Sequence, residues 1–169
     1  MHKEIDVKKS KATYIILIVA FLLWLPFFFV LSQAENDPII RLITSAIVLV
    51  ALFTDKYIHE FCHYVVNRAL GFECKVKFGL LMSECKVFGT QTYKQVILGS
   101  AAPLLYYIPV SVLVLVSNIA VPYKWVFLSV LILWLSSMAG DYQYIYHALS
   151  NKDAVFNDNG TVLVISKAQ

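Results

Sequence analysis

The stretch IIRLITSAIVLVALFTDKYIHEFCH (residues 39–63) changes character partway along its length. As far as Phe53 it is almost unbroken apolar sequence. Beyond that it turns amphipathic, carrying Asp55, His59, Glu60 and His63. Asp37 followed by Pro38 reads as an N-cap with proline in the first helical turn, and Gly71 reads as a stop. The pattern predicts one helix from near Ile39 to about Leu70. Its apolar part is long enough to enter a bilayer, and it delivers its polar part to the membrane edge.

The composition points to the same solvent. Hydrophobic residues make up 59% of the 169-residue chain and charged residues 15%, with a mean hydropathy of +0.69. Soluble domains carry roughly a quarter charged residues. The surplus collects into blocks near the roughly 20 residues that a spanning helix needs, at about 13–31, 39–67, 96–116 and 125–146. The first block follows a basic leader with Lys3, Lys8, Lys9 and Lys11, and the bulky run around Trp24 and Phe27–Phe29 argues for a retained span over a cleaved signal. The expected fold class is an all-α membrane protein of four transmembrane helices in a single domain.

Between the second and third blocks the chain is polar. Phe72, Cys74, Val76 and Phe78 alternate with Glu73, Lys75 and Lys77, and a second alternating run ends near Gly89. This period of two predicts a small β-hairpin. Lysine and arginine concentrate in the leader and in residues 68–94, while the connections around residues 33–37 and 117–124 are poor in them. The positive-inside rule then puts both termini, the tail at 150–169 and the hairpin loop in the cytoplasm of a multi-pass cell-membrane protein. No basic tract is dense enough to argue for nucleic acid. Cys62, Cys74 and Cys85 form no CxxC pair, so neither a disulfide framework nor a zinc ribbon is indicated.

His59-Glu60-Phe61-Cys62-His63 fits the pattern HExxH. Residues four apart share a helix face, so both imidazoles can reach one metal ion, and the adjacent glutamate is placed to activate water. Two surface histidines at a membrane edge are the bland alternative. Ionisable residues directly after an apolar run weigh against it, because such positions are costly. A catalytic zinc needs a third protein ligand, and the candidates are Asp55, Asp141, His147 and the cysteines. If the second and fourth helices both start from the outer face, His59 lies about 30 Å along one and Asp141 about 24 Å along the other. Asp141 is therefore the expected third ligand and His147, about 33 Å along, the second choice or a substrate contact. Asp55, one turn before His59, is placed to accept a hydrogen bond from an imidazole nitrogen and fix its tautomer.

With His59 to His63 at the inner end of one span, Gly99-Ser100-Ala101-Ala102-Pro103 interrupting the next and Gly140-Asp141 late in the last, the chain resembles the zincin membrane peptidases related to site-2 intramembrane proteases. The likeness runs from about Ile39 to the tail, where Ala154 to Asp158 is similar to that family's ending. It implies zinc on His59, His63 and Asp141, with Glu60 as general base. The chain departs from site-2 proteases in having Tyr106 and Tyr107 after Pro103 and Tyr142 after Asp141, so the likeness supplies no oxyanion-stabilising group.

The expected function is a membrane-embedded zinc metalloprotease acting near the cytoplasmic face on a membrane-protein or peptide substrate. The alternative is a non-catalytic metal-binding adaptor, a pseudoprotease. Glu60 separates the two, since no purely structural zinc site needs it. A transporter, suggested only by the broken third block, is weaker, because four spans show no internal repeat.

Overall fold

The computed structural model describes residues 2–6, 11–19, 21–22, 38–79, 83–118, 121–158 and 162–167. Its elements in chain order are β1 (His2–Asp6), α1 (Pro38–Ala69), β2 (Glu73–Lys77), β3 (Glu84–Phe88), α2 (Tyr93–Ser100), α3 (Leu104–Val116), α4 (Val121–Ser137), α5 (Ala139–Ser150), β4 (Ala154–Asp158) and β5 (Val162–Lys167). Residues 11–19 and 21–22 are also helical, and the rest of the expected first span lies outside the described residues.

Helix α1 follows from its sequence. Pro38 opens it, where a missing N–H costs nothing. At the other end Gly71 adopts φ +89°, its N–H donates to the Arg68 carbonyl at 3.0 Å, and the Phe72 N–H returns to the Asn67 carbonyl at 3.0 Å. That pair of bonds satisfies the last carbonyls of the helix and turns the chain directly into β2. Strands β2 and β3 pair antiparallel with Val76 opposite Cys85, so the hairpin is present and packs against α1. Gly89, at φ +109°, ends it.

The expectation of an all-α, four-span membrane protein is overturned. The chain is mixed α/β, with two sheets among the described residues. The second sheet has the order β1-β5-β4, all antiparallel, with Ile5 opposite Leu163 and Phe156 opposite Ile165. Its strands come from segments read as a leader and a tail. In β5, Leu163 and Ile165 are buried and Val164 is only partly so, which gives one face to a core. The polar β1 has little strand propensity of its own and is held by that pairing, as expected where context decides strand formation. The third apolar block is two helices, with a turn at Ala101, Ala102 and Pro103 between α2 and α3. The fourth breaks at Met138 into α4 and α5, which are bent by 48°. Among the described residues only Tyr93–Val116 is long and apolar enough to cross a membrane, and a second stretch qualifies only if the bent pair counts as one span.

Two apolar clusters hold the elements together. Phe156, Leu163 and Ile165 of the sheet pack on Val96 of α2 and Ala148 of α5. Tyr107 of α3 packs with Val130 and Trp134 of α4 and with Met138, and Ala51 of α1 lies against them. The exposed side chains are of a different kind. Leu105, Ile108, Leu113 and Val116 on α3, and Val50 and Phe53 on α1, are all more than half exposed. They leave α1 and α3 with several large apolar side chains on the outside of the molecule.

Phe156 is fully buried and its backbone is paired with Gln91 in both directions, at 2.8 and 2.9 Å. Replacing Phe156 with alanine should destabilise the fold by about 3–5 kcal/mol, the cost of emptying an aromatic core position. Denaturant unfolding followed by tryptophan fluorescence measures it, and a change below about 1 kcal/mol would mean that the terminal sheet is not part of the cooperative core.

Candidate metal centre

Asp55, His59, His63 and Asn67 follow one another at intervals of four along α1, and all four are buried. This spacing stacks them as a single row on the helix face. Four polar side chains cannot be buried in a row without partners, and each has one.

The two imidazoles turn their Nε2 atoms toward each other, 3.0 Å apart. Asp141 closes the triangle, with Oδ2 at 3.1 Å from His59 Nε2 and Oδ1 at 3.3 Å from His63 Nε2. The outward nitrogens define the tautomers. His63 Nδ1 lies 2.7 Å from the Gly99 carbonyl oxygen, which can only accept, so Nδ1 carries the proton. His59 Nδ1 lies 3.1 Å from the Tyr107 hydroxyl, which donates its own proton to Asp55 Oδ1 at 2.8 Å. The Tyr107 oxygen therefore accepts from His59. Both Nε2 atoms are left as lone pairs, facing each other and a carboxylate.

Asp141 gets there because the helix breaks. The bend at Met138 restarts the chain as α5 and puts Asp141 in its first turn, where the helix dipole favours a carboxylate. The sequence expectation had placed Asp141 by depth along one continuous helix. The structure brings the same residue to the histidines by a different path.

The donor set fits zinc. Two imidazole nitrogens and a carboxylate make the three protein ligands of a catalytic site, and donors about 2.0–2.1 Å from a tetrahedral ion stand about 3.3 Å apart. The separations here are 3.0–3.3 Å. Among the described residues this is the group of histidine, cysteine and carboxylate side chains with metal-ligand spacing. With both imidazoles neutral, three acceptor atoms converge on one point, the arrangement a cation would need.

Around the three ligands is a cavity of about 210 Å³, lined also by Glu60, Asn67, Cys85, Gln91 and Asp158. Glu60, next to His59, is thus on the cavity wall and outside the ligand group. His147 is not in this wall; its ring stands edge-on to Tyr146, with centroids 5.2 Å apart. Asp55 acts on His59 through Tyr107, not by the direct bond expected of it. Of the cysteines, Cys85 reaches the cavity, and burial, with Cys74 beside it, pushes its thiol up, so it presents a neutral S–H.

Gly99 is needed for close approach. A Cβ there would come within 2.8 Å of Asn67 Oδ1, and Asn67 cannot retreat because its Nδ2 donates to the His63 carbonyl at 2.9 Å and its Oδ1 accepts from Gln91 Nε2 at 3.2 Å. Sequence reading missed Asn67, Tyr107 and Gln91 as site residues. Asn67 had a signal, since it continues the interval of four; Tyr107 and Gln91 join only through the tertiary fold.

Replacing Tyr107 with phenylalanine removes the bond that fixes the His59 tautomer and strands the Asp55 carboxylate. Zinc affinity should fall about 10–100-fold, measured by competition with a chromogenic chelator. Unchanged affinity would mean that the Tyr107 hydroxyl does not orient the ligand.

No protein-family model, characterised protein or solved structure matches this chain, and its chemistry is therefore read from the site itself.

Proposed function

We propose that this chain is a zinc-dependent metallopeptidase of the HExxH type that works at a membrane and hydrolyses peptide bonds of a peptide or membrane-protein substrate. The observation that carries the reading is the convergence of His59, His63 and Asp141 at ligand spacing in a cavity that also holds Glu60. A purely structural site has no use for that glutamate and would close on a fourth ligand.

Zinc bound there supplies Lewis acidity and lowers the pKa of water. The chain's residues do the rest. His59 and His63 keep their Nε2 lone pairs directed inward because Tyr107 and Gly99 occupy their Nδ1 protons. Glu60 takes a proton from the attacking water as its oxygen bonds to the scissile carbonyl carbon, and returns a proton to the departing amine as the C–N bond breaks.

The exposed apolar faces of α1 and α3 support a membrane location, with lipid as their natural partner. Strands β1 and β5 pair, which keeps the two ends of the chain on one side, and Arg68, Lys75, Lys77 and Lys86 surround the hairpin beside the site. By the positive-inside rule that side is cytoplasmic.

Two substitutions separate binding from turnover. His63→Ala should abolish zinc in elemental analysis of the purified protein, and full occupancy would place the metal elsewhere. Glu60→Gln should keep zinc while lowering cleavage of quenched fluorescent peptide pools by about 10²–10⁴-fold. A wild-type rate in that variant would remove Glu60 as the base and favour the non-catalytic adaptor; loss of zinc would make Glu60 a ligand.

A further inference from the structure

A peptide drawn into this cavity gives up water at every N–H and C=O near the scissile bond, and each group left unpaired there is costly. Zinc and Glu60 serve only the bond that breaks. The neighbouring peptide units need a partner in the wall.

Gln91 is built for that role. It sits between β3 and α2, and its backbone is fully used, with N–H and C=O both paired to Phe156 at 2.8 and 2.9 Å. Its side chain is therefore fixed at the base, is 3% exposed, and lies in the wall of the cavity that contains the ligand group. The amide's orientation is set by a chain of bonds. The His63 carbonyl can only accept, so Asn67 must present Nδ2 to it, at 2.9 Å. Asn67 Oδ1 then faces Gln91, which must answer with Nε2, at 3.2 Å. That contact uses one of the two Gln91 amide protons. One N–H donor and the Oε1 acceptor remain, side by side on one planar group, and they are the complement of the C=O and N–H that a single residue of an extended chain presents on one side.

The position matches a definite place in the substrate. Asn67 stands one turn beyond His63, about 6 Å along the helix axis, and two residues of extended chain advance about 6.6 Å. We infer that the Gln91 carboxamide pairs with the backbone of an extended peptide about two residues from the scissile bond, making Gln91 a positioning residue for peptide substrates. This rests on the metallopeptidase reading and adds to it a sequence-independent backbone contact, which selects unfolded or extended segments without regard to their side chains.

The test uses the full chain loaded with zinc and three hydroxamates: acetohydroxamic acid, which reports the metal alone, and two trialanyl hydroxamates carrying the peptide on the carbonyl side or on the amine side. In Gln91→Met, affinity for one of the two peptide hydroxamates should fall about tenfold, as for two lost hydrogen bonds, with acetohydroxamate binding unchanged. If both peptide hydroxamates keep their wild-type advantage over acetohydroxamate, the backbone contact is overturned while the metal centre stands. If the wild-type protein binds none of the three, the metallopeptidase reading falls, and the subsite with it. Should Gln91→Met lose acetohydroxamate as well, Gln91→Glu, which keeps the length and lacks the donors, decides by the same ratio.

Discussion

Two imidazole Nε2 atoms facing each other at 3.0 Å, with a carboxylate against both, are the contact around which the helices are arranged. Burying three polar groups side by side carries a desolvation cost that their contacts with one another and with their neighbours must offset. The arrangement exists because the surroundings leave it no alternative. Each histidine is gripped at Nδ1, one by a carbonyl that cannot rotate away and one by a phenol itself held by Asp55 and packed flat against Trp134. Side chains gripped in this way are oriented before any ion arrives, as the proposed zinc site would require.

The irregular features of the fold all serve that contact. The helices on either side of Met138 meet at 48°, and Asp141 stands in the first turn after the bend, against both histidines. The turn at residues 101–103 lets α2 end with the Gly99 carbonyl aimed at His63 and lets α3 start so that Tyr107 reaches His59. Glycine at position 99 lets two helices approach to the point where a backbone oxygen becomes the partner of a side chain. Helix breaks in an apolar environment are tolerated where the freed backbone groups find partners in protein or at a cavity, and these breaks border one.

This explains which parts were legible. His59, Glu60 and His63 are fixed by spacing along one helix, and spacing is written in the sequence. Gly71 and the alternation of residues 72–78 are likewise local, which is why the helix end and the hairpin could be read. Asp141 was reachable only through its depth in an apolar block, an argument that treated the block as straight. The fold class failed for a related reason. Apolar runs were counted as spans, whereas Pro103 and Met138 divide them, and the strands of the terminal sheet draw their stability from each other across the length of the chain. Nothing in His2 to Asp6 by itself says that Ile5 will lie opposite Leu163. Tyr107 and Gln91 are invisible for the same cause: their roles are conferred by what the fold brings to them.

The division of α1 into two halves ties the site to its setting. Its first half turns Leu42, Leu49 and Phe53 outward, and its second half turns Asp55, His59, His63 and Asn67 inward against α3, α5 and α2. A charge placed in hydrocarbon costs several kcal/mol, so the polar row has to start where the apolar surface ends or be covered by protein throughout. Here the second condition holds: the row is buried by protein, while Phe61 and Val65 continue the exposed apolar surface beside it. The two sheets sit at the polar end, with β3 against β4 and Gln91 bridged to Phe156 between them. Helical segments hide their peptide groups, and hydrolysis needs them exposed. Under the proposed metallopeptidase reading, a site beside strand-forming backbone would meet a substrate chain where it leaves a helix, and that is where its peptide bonds first become available.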